Sequence, residues 1–568
     1  MTEPPRTAPP MIPIAIAAIV VAALAIGVIL LAGPGATPGA TVGPSGSAPA
    51  DSGVGPSGAP GGDGASPSAA AEVSPSDGAG ASPDASGADA SSAPSAGPIA
   101  AVPIVPVVDF RSTEASVKAT DVRAALAGTG RYSALEVVSG DADAILAGLG
   151  ATRPSGGRTL ILARDAATLA KDLAAHRDRL AILRADQVTP AVRALGWGSR
   201  SLFGVDRVRA ATTWPLVAQL PATVPGVAPF DPATTWTMVA GGDILLDRGI
   251  AKVVKIQGKG VDFPFAGGTA TITGRRCCSA LDNPVPVTRR TGAAGAMRAL
   301  LRSADIAVAN FENPAPNAFR YHTQGTVFSA DPKLIAGLRN AGIDIVSIGN
   351  NHIRDAGAQG IVDTIKNLKR YGIRPTGAGA NLAAARQPAV MTVKGVKVAI
   401  LGYDTIAKGY AAGPSRAGSA QLTRAAVRSD IKKARAAGAD VVIVYPHWGT
   451  EYTPRPFAAQ QALARSVIDA GADMVIGNHA HYVGAMEVYK GHPIWYALGN
   501  FVFDQDWSEP TMEGITLELT FRGDRLAQVR MRPHVILDKA QPNFMDPAGS
   551  GRVVLGQLYD ASKKSLPW

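Results

Sequence analysis

The 568-residue sequence predicts an α/β protein with two folded regions behind an apolar N-terminal span and a long low-complexity tether. Three observations carry that expectation. Short β-branched and aliphatic runs alternate with helix-like stretches from Ile104 onward, the pattern of strands joined by helices. In the second region these runs end repeatedly in Asp, Asn, Glu or His. Ahead of both regions, 56 of the 68 residues from Gly33 to Ala100 are Ala, Gly, Ser or Pro, too little apolar surface to offset chain entropy. At roughly 150 residues per domain, the length allows about three to four units.

The N-terminus bears on the compartment. Met11 to Ala32 is an uncharged run of 22 residues. As a helix it covers about 33 Å, enough for a hydrocarbon core of about 30 Å. A cleaved signal peptide is the rival reading, but its apolar region usually covers about 7 to 15 residues. Arg6 precedes the span and the next basic residue is Arg111, so the bias of positive charge keeps residues 1–10 in the cytoplasm. The expected order is thus a cytoplasmic tail (1–10), a single transmembrane anchor (11–32) and a tether (33–100) reaching about 45 Å outward. A small α/β domain (101–230), a larger domain (231–547) and a C-terminal extension (548–568) follow, all extracytoplasmic.

Charge and composition narrow the function classes. No G-x-y or heptad period runs through the chain, which excludes a collagen or a coiled-coil rod. Cys277 and Cys278 are the only cysteines, so no disulfide framework and no cysteine-based zinc or iron-sulfur site can be built. Any metal must be held by His, Asp, Glu and Asn. The adjacent pair can form an eight-membered ring, stay as thiols or link chains, and in an exported protein an oxidised form is expected. Residues 111–568 carry 54 basic and 37 acidic residues, a net of +17, which suits a polyanionic partner such as an acidic wall polymer. Nucleic acid is not among the expected partners.

The first folded region shows apolar runs at Ile104 to Val108, Ala134 to Val138 and Thr159 to Ala163, with helix-like stretches at Asp121 to Ala127 and Ala166 to Leu183. It carries no catalytic constellation. Trp197-Gly198 and His176 read as packing and helix surface.

The chemistry sits in the second region. Strand-like runs end at Gly241-Gly-Asp243, Asn310-Phe-Glu312, Asn350-Asn351-His352, His447 and Asn478-His479-Ala-His481, with helices expected over Pro332 to Asn340, Gly360 to Tyr371, Arg424 to Ala437 and Ala458 to Ala470. In layered α/β folds ligands gather at the carboxyl ends of strands. Four of the eight histidines fall directly after strands. On an extended strand end, the spacing of His479 and His481 puts both imidazoles on one side about 6 to 7 Å apart. Imidazole, carboxylate and amide oxygens together suit zinc, manganese or iron.

The ordered motifs Gly-Gly-Asp243, Asn310-Phe-Glu312, Gly349-Asn-Asn351-His352, His447-Trp448-Gly449, Gly477-Asn-His479-Ala-His481 and Leu498-Gly-Asn500-Phe-Val-Phe-Asp504 resemble the poly-γ-glutamate capsule-synthesis family of CapA type, itself similar to calcineurin-like metallophosphoesterases. The resemblance covers Trp236 to roughly Val535. It implies a four-layer αββα metallophosphatase-like sandwich and one or two divalent ions, Zn, Mn or Fe. One ion would be held by Asp243, Glu312 and His481, and the other by Glu312, Asn351, His447 and His479, with Glu312 bridging. The phosphoesterase motif Asp-x-His is broken here, because Leu245 stands where its histidine would be, and the bridging aspartate is replaced by the longer Glu312. The first site is therefore short of a ligand.

The chemistry expected is metal-assisted hydrolysis or transfer at a carbonyl or phosphoryl centre. His352 would protonate the leaving group with Asp355 orienting its ring, Arg248 would hold an anionic substrate group, and Trp448, Glu451 and Tyr452 would line the mouth. The substrate implied is an acidic cell-surface polymer, poly-γ-glutamate or a wall component, with a synthase or export complex as a further partner. The alternative from another class is a non-catalytic accessory protein that binds, tethers or exports the polymer.

Overall fold

A computed structural model describes residues 99–221, 230–321, 325–563, 566 and 568. The expected cytoplasmic tail, anchor and almost all of the tether lie outside the described residues. No helix among the described residues is long and apolar enough to cross a membrane.

The first region forms a six-stranded sheet in the order Leu160–Ala163, Leu135–Val138, Leu180–Arg184, Ile99–Asp109 and Val192–Ala194, with Val217–Pro221 pairing along the outer part of Ile99–Asp109. The helix Ala166–Ala175 begins where Asp165 accepts from Thr168 N at 2.7 Å, an N-cap that satisfies an orphan donor. It stops at His176, and here the helix expected to run to Leu183 is corrected. Leu180–Arg184 is a fully buried strand between Leu135–Val138 and Ile99–Asp109. A short apolar run flanked by a turn has no period that separates strand from helix, and the sheet's need for a central strand decides it.

The second region holds two sheets. The first runs Arg374–Thr376, Ile345–Ser347, Ile306–Phe311, Thr235–Ile244, Glu513–Arg522, Arg525–Leu537 and Gln541–Phe544, with Asn500–Val502 also pairing with Thr235–Ile244. The second runs Ala389–Val393, Val396–Asp404, Val441–His447, Met474–Ile476, His492–Trp495 and Met486–Tyr489. Within each, the strands that lead to the motifs are parallel, and parallel strands covered on both faces read as unbroken apolar runs such as Val441-Val-Ile-Val.

The cores give the layer order. Met238, Ala240, Ile306 and Val308 of the first sheet pack with Val398, Ile400, Ile443 and Met474 of the second. The opposite face of the first sheet packs Val239, Ala307 and Ala309 against Met297, Leu301, Leu338 and Ile361 of its helices. The opposite face of the second packs Leu401, Val442 and Val475 against Val427, Ile431, Ala464 and Val467. The layers therefore run helices, sheet, sheet, helices.

The helix Arg552–Ser562 puts Leu555 and Leu558 into the core between the sheets, and Ser562 Oγ accepts from Met486 N at 2.8 Å. The small sheet is fastened to the larger region by Gln528, Thr520 and Glu518, which accept from the backbone nitrogens of Ala194, Gly204 and Val205. Cys277 and Cys278 are joined to each other beyond the hairpin strand Ala270–Arg276, the ring form among the three alternatives.

Candidate metal centre

The strand Thr235–Ile244 is buried along all ten residues and delivers Asp243 at its end, level with Asn310 on one neighbour and Asn500 on the other. The two glycines before Asp243 permit this. A Cβ on Gly242 would stand 1.9 Å from Gly499 O, and one on Gly241 would stand 2.6 Å from Phe501. Tyr445 Oη donates to Gly241 O and so ties the second sheet to the first at this point. With the two sheets face to face, the ends of Ile306–Phe311 and Val441–His447 bring Glu312 and His447 to the same place.

Two groups of ligand-bearing side chains meet there: Glu312, His447 and His479, and Asp243, Glu312 and His481. All are buried. In the first, His447 Nε2 lies 2.7 Å from Asn351 Oδ1, 3.0 Å from His479 Nδ1 and 3.4 Å from Glu312 Oε1. Lone-pair atoms this close need a proton or a cation among them. In the second, His481 Nε2 lies 3.7 Å from Glu312 Oε1, and Asp243 accepts from Asn310 Nδ2 at 2.7 Å and from His479 N at 3.1 Å. Glu312 Oε1 is buried without a hydrogen-bond partner and is shared by both groups. An acceptor left unpaired in such a place costs free energy that a cation would recover.

The electrostatics agree with that donor set. Burial holds the imidazoles of His447, His479 and His481 well below their ordinary value, so they are neutral with lone pairs to offer. Burial pushes Glu312 up to about 8, against the charge of His352, and raises Asp243 well above the carboxylate range with Glu312 adding to it. Two carboxyls buried this close to each other resist joint ionisation, and a divalent cation between them would relieve that.

The structure places the other expected site residues as follows. His352 sits beside the centre, near enough for a charge on its ring to act on Glu312, His447, His479 and His481. Its Nδ1 is 2.8 Å from Asp355 Oδ2 and its ring stacks on Phe328 at 4.0 Å. Asp355 does not cap the helix Gly357–Arg370; it holds His352 and accepts from Phe328 N. Tyr452 is 42% exposed and stacks on His481 at 6.0 Å, and Glu451 beside it is exposed, so both border the mouth.

Three expectations are corrected. Trp448 does not line the mouth: it is 1% exposed, in the core on the far side of the second sheet, and donates to Tyr496 O. His447 faces the centre and the next residue on a strand end faces away. Arg248 is not free to hold a substrate anion, since its guanidinium is buried, pairs with Asp504, donates to Gly325 O and lies over Phe328. His479 and His481 do not extend the strand Met474–Ile476. Both have left-handed backbone, φ 91° and 54°, and this loop, with ring centroids 6.2 Å apart, turns the two imidazoles into different pockets.

Sequence reasoning gave no role to Asn310, Asn500 or Asp504, though each stands inside a quoted motif. Asn310 Nδ2 approaches Asp243, Glu312 and His447 together, Asn500 Oδ1 meets His481 Nδ1, and Asp504 secures Arg248. Leu245, at the position of the missing histidine, is buried with Phe328, Phe503 and Ile536.

Residues 237–505 match the family described as bacterial capsule synthesis protein PGA_cap. The capsule biosynthesis protein CapA of Bacillus anthracis is 32% identical over 274 residues, 47% of this chain and 66% of that protein. The PGA biosynthesis protein CapA of Bacillus subtilis (strain 168) is 35% identical over 213 residues, 37% of this chain and 56% of that protein. A protein of Mycobacterium tuberculosis named as a probable polyglutamine synthesis accessory protein is 29% identical over 354 residues, 58% of this chain and 88% of that protein. The chain thus spans less than two thirds of the length of the two Bacillus relatives. Residues 237–505, with the histidine, asparagine and carboxylate motifs that build the centre, are thus a region of the bacterial capsule synthesis family PGA_cap, of CapA type.

Proposed function

We propose that the chain is a membrane-anchored, extracytoplasmic protein of capsule or poly-γ-glutamate synthesis, acting on an acidic cell-surface polymer as a metal-dependent hydrolase or transferase on a metallophosphatase-like αββα sandwich. The single observation that carries the catalytic part is Glu312 Oε1, buried and unpaired between His447 and His481. Glu312, Asn351, His447 and His479 would hold one divalent ion, and Asp243, Glu312 and His481 the other. A metal in such a site supplies a Lewis acid and a water of lowered pKa. The chain's own residues do the rest. His352, fixed at Nδ1 by Asp355, presents Nε2 to move the leaving-group proton, and Phe328 packed on its ring keeps water from one face. Tyr452 and Glu451 border the entry, while the net positive charge of residues 111–568 draws an acidic polymer.

A specific observation favours a second reading, the non-catalytic accessory protein. The Asp243 pocket has three ligands and a buried leucine where the phosphoesterase motif has a histidine. The test is a screen of the metal-replete full chain against poly-γ-glutamate and phosphodiester substrates. Turnover that chelation abolishes supports the enzyme, and polymer binding without turnover supports the accessory role.

A further inference from the structure

Resting on the metal reading above, we infer that Asn500 is a positioning residue which fixes the tautomer of His481 and so presets the ligand atom of the Asp243–Glu312–His481 pocket. Asn500 leads the strand beside Asp243, and its side chain is fully buried. Its Nδ2 donates to Thr511 O at 2.8 Å and to Gln505 Oε1 at 2.9 Å. A backbone carbonyl only accepts, so the amide can face Thr511 in one way, with nitrogen outward to Thr511 and oxygen toward His481. That oxygen is 2.9 Å from His481 Nδ1. Because Oδ1 also only accepts, Nδ1 carries the proton, and the lone pair of the neutral ring falls on Nε2, the atom 3.7 Å from Glu312 Oε1. The alternative acceptor for Nδ1–H, Asp243 Oδ2, is 3.6 Å away and beyond hydrogen-bond range.

Asn500 is itself held. His534 Nε2 donates to Asn500 O at 2.9 Å, and His534 Nδ1 accepts from Thr516 Oγ1 at 3.2 Å. Gln505, its oxygen committed to Asn500, turns Nε2 toward Tyr452 Oη at 3.4 Å, and Tyr452 stacks on His481. One chain of hydrogen bonds thereby grips His481 at its edge and, through Tyr452, at its face. Partners of this kind on a ligating histidine typically contribute about 10- to 100-fold in metal affinity.

The test has two arms on the full chain. The first records the nitrogen spectrum of the metal-free, histidine-labelled protein, with the His481 signals identified by their loss in His481→Ala. The Nδ1–H pattern is expected, and the Nε2–H pattern would overturn the inference even if every Asn500 variant failed to fold. The second titrates Co²⁺ alone into wild type, Asn500→Leu, Asn500→Asp and His481→Ala. Asn500→Leu is expected to weaken one Co²⁺ site about 10- to 100-fold. Asn500→Asp, which loses both donated bonds but keeps an acceptor for Nδ1–H, should stay within a few-fold of wild type. Wild-type affinity in Asn500→Leu beside a deficit in His481→Ala would overturn the positioning role alone. Equal Co²⁺ binding by wild type and His481→Ala would overturn the metal reading of the Asp243 pocket and the inference with it.

Discussion

His352 Nδ1 and Asp355 Oδ2 lie 2.8 Å apart, with the imidazole stacked on Phe328 beside the buried ligand cluster. A ring held at one nitrogen in this way exchanges protons at the other. His352→Ala should therefore lower turnover by about 10² to 10⁴ while leaving metal content and polymer binding as in wild type. Steady-state rates beside metal analysis check it. Undiminished turnover would remove the proton-transfer role from His352.

The histidine pair provides a separate expectation. His479→Ala with His481→Ala removes one ligand from each pocket, so bound divalent metal should fall sharply in the double variant while its circular dichroism stays native. Where wild type holds only one equivalent, the three-ligand pocket at Asp243 is expected to be the empty one.

Glu513 predicts a pH dependence of stability. Burial, with Glu509 adding to it, raises its carboxyl to about 8, and its Oε1 is buried without a partner. The folded state thus holds a proton that the unfolded chain releases near the ordinary glutamate value. Stability should fall as pH rises from about 4.5 to 8, at about 1.4 kcal/mol per unit for this group. Glu513→Gln should flatten that slope in denaturant midpoints taken at pH 5, 6, 7 and 8. An unchanged slope would assign the carboxyl an ordinary titration.

Gly242→Ala tests the close approach at the first motif. Its Cβ would stand 1.9 Å from Gly499 O, so the strands must part, at a cost of about 1–3 kcal/mol. Because Asp243 follows directly, metal affinity should drop with stability. A denaturant midpoint and metal affinity equal to wild type would contradict the account.

How much of this was legible in the sequence varied with the kind of signal. The strand ends carrying Asp243, Glu312, Asn351, His447, His479 and His481 were readable because buried parallel strands are unbroken apolar runs, and a polar residue ending such a run stands out. The same rule failed at Leu180–Arg184, where four apolar residues fit a strand or a helix equally. Trp448 and Arg248 were misplaced because sequence spacing does not say which face a side chain takes or which carboxylate, here Asp504, claims it first. The left-handed turns at His479 and His481 and the network through Asn500 and Gln505 depend on elements distant in the chain. No local pattern encodes them.

The proposed anchor at residues 11–32 has its own test. Protease added to intact cells should release a fragment containing the folded regions by cutting within residues 33–100. A mature N-terminus beyond Ala32 would replace the anchor with a cleaved signal.

Both proposed metal pockets share Glu312, so metal stoichiometry of the purified full chain should depend on that one carboxylate, and comparison with Glu312→Gln measures the dependence. Wild type should hold one or two equivalents of divalent metal and Glu312→Gln less than about a tenth of that, because neither pocket keeps its shared carboxylate. Equal metal content in the two proteins would contradict that dependence.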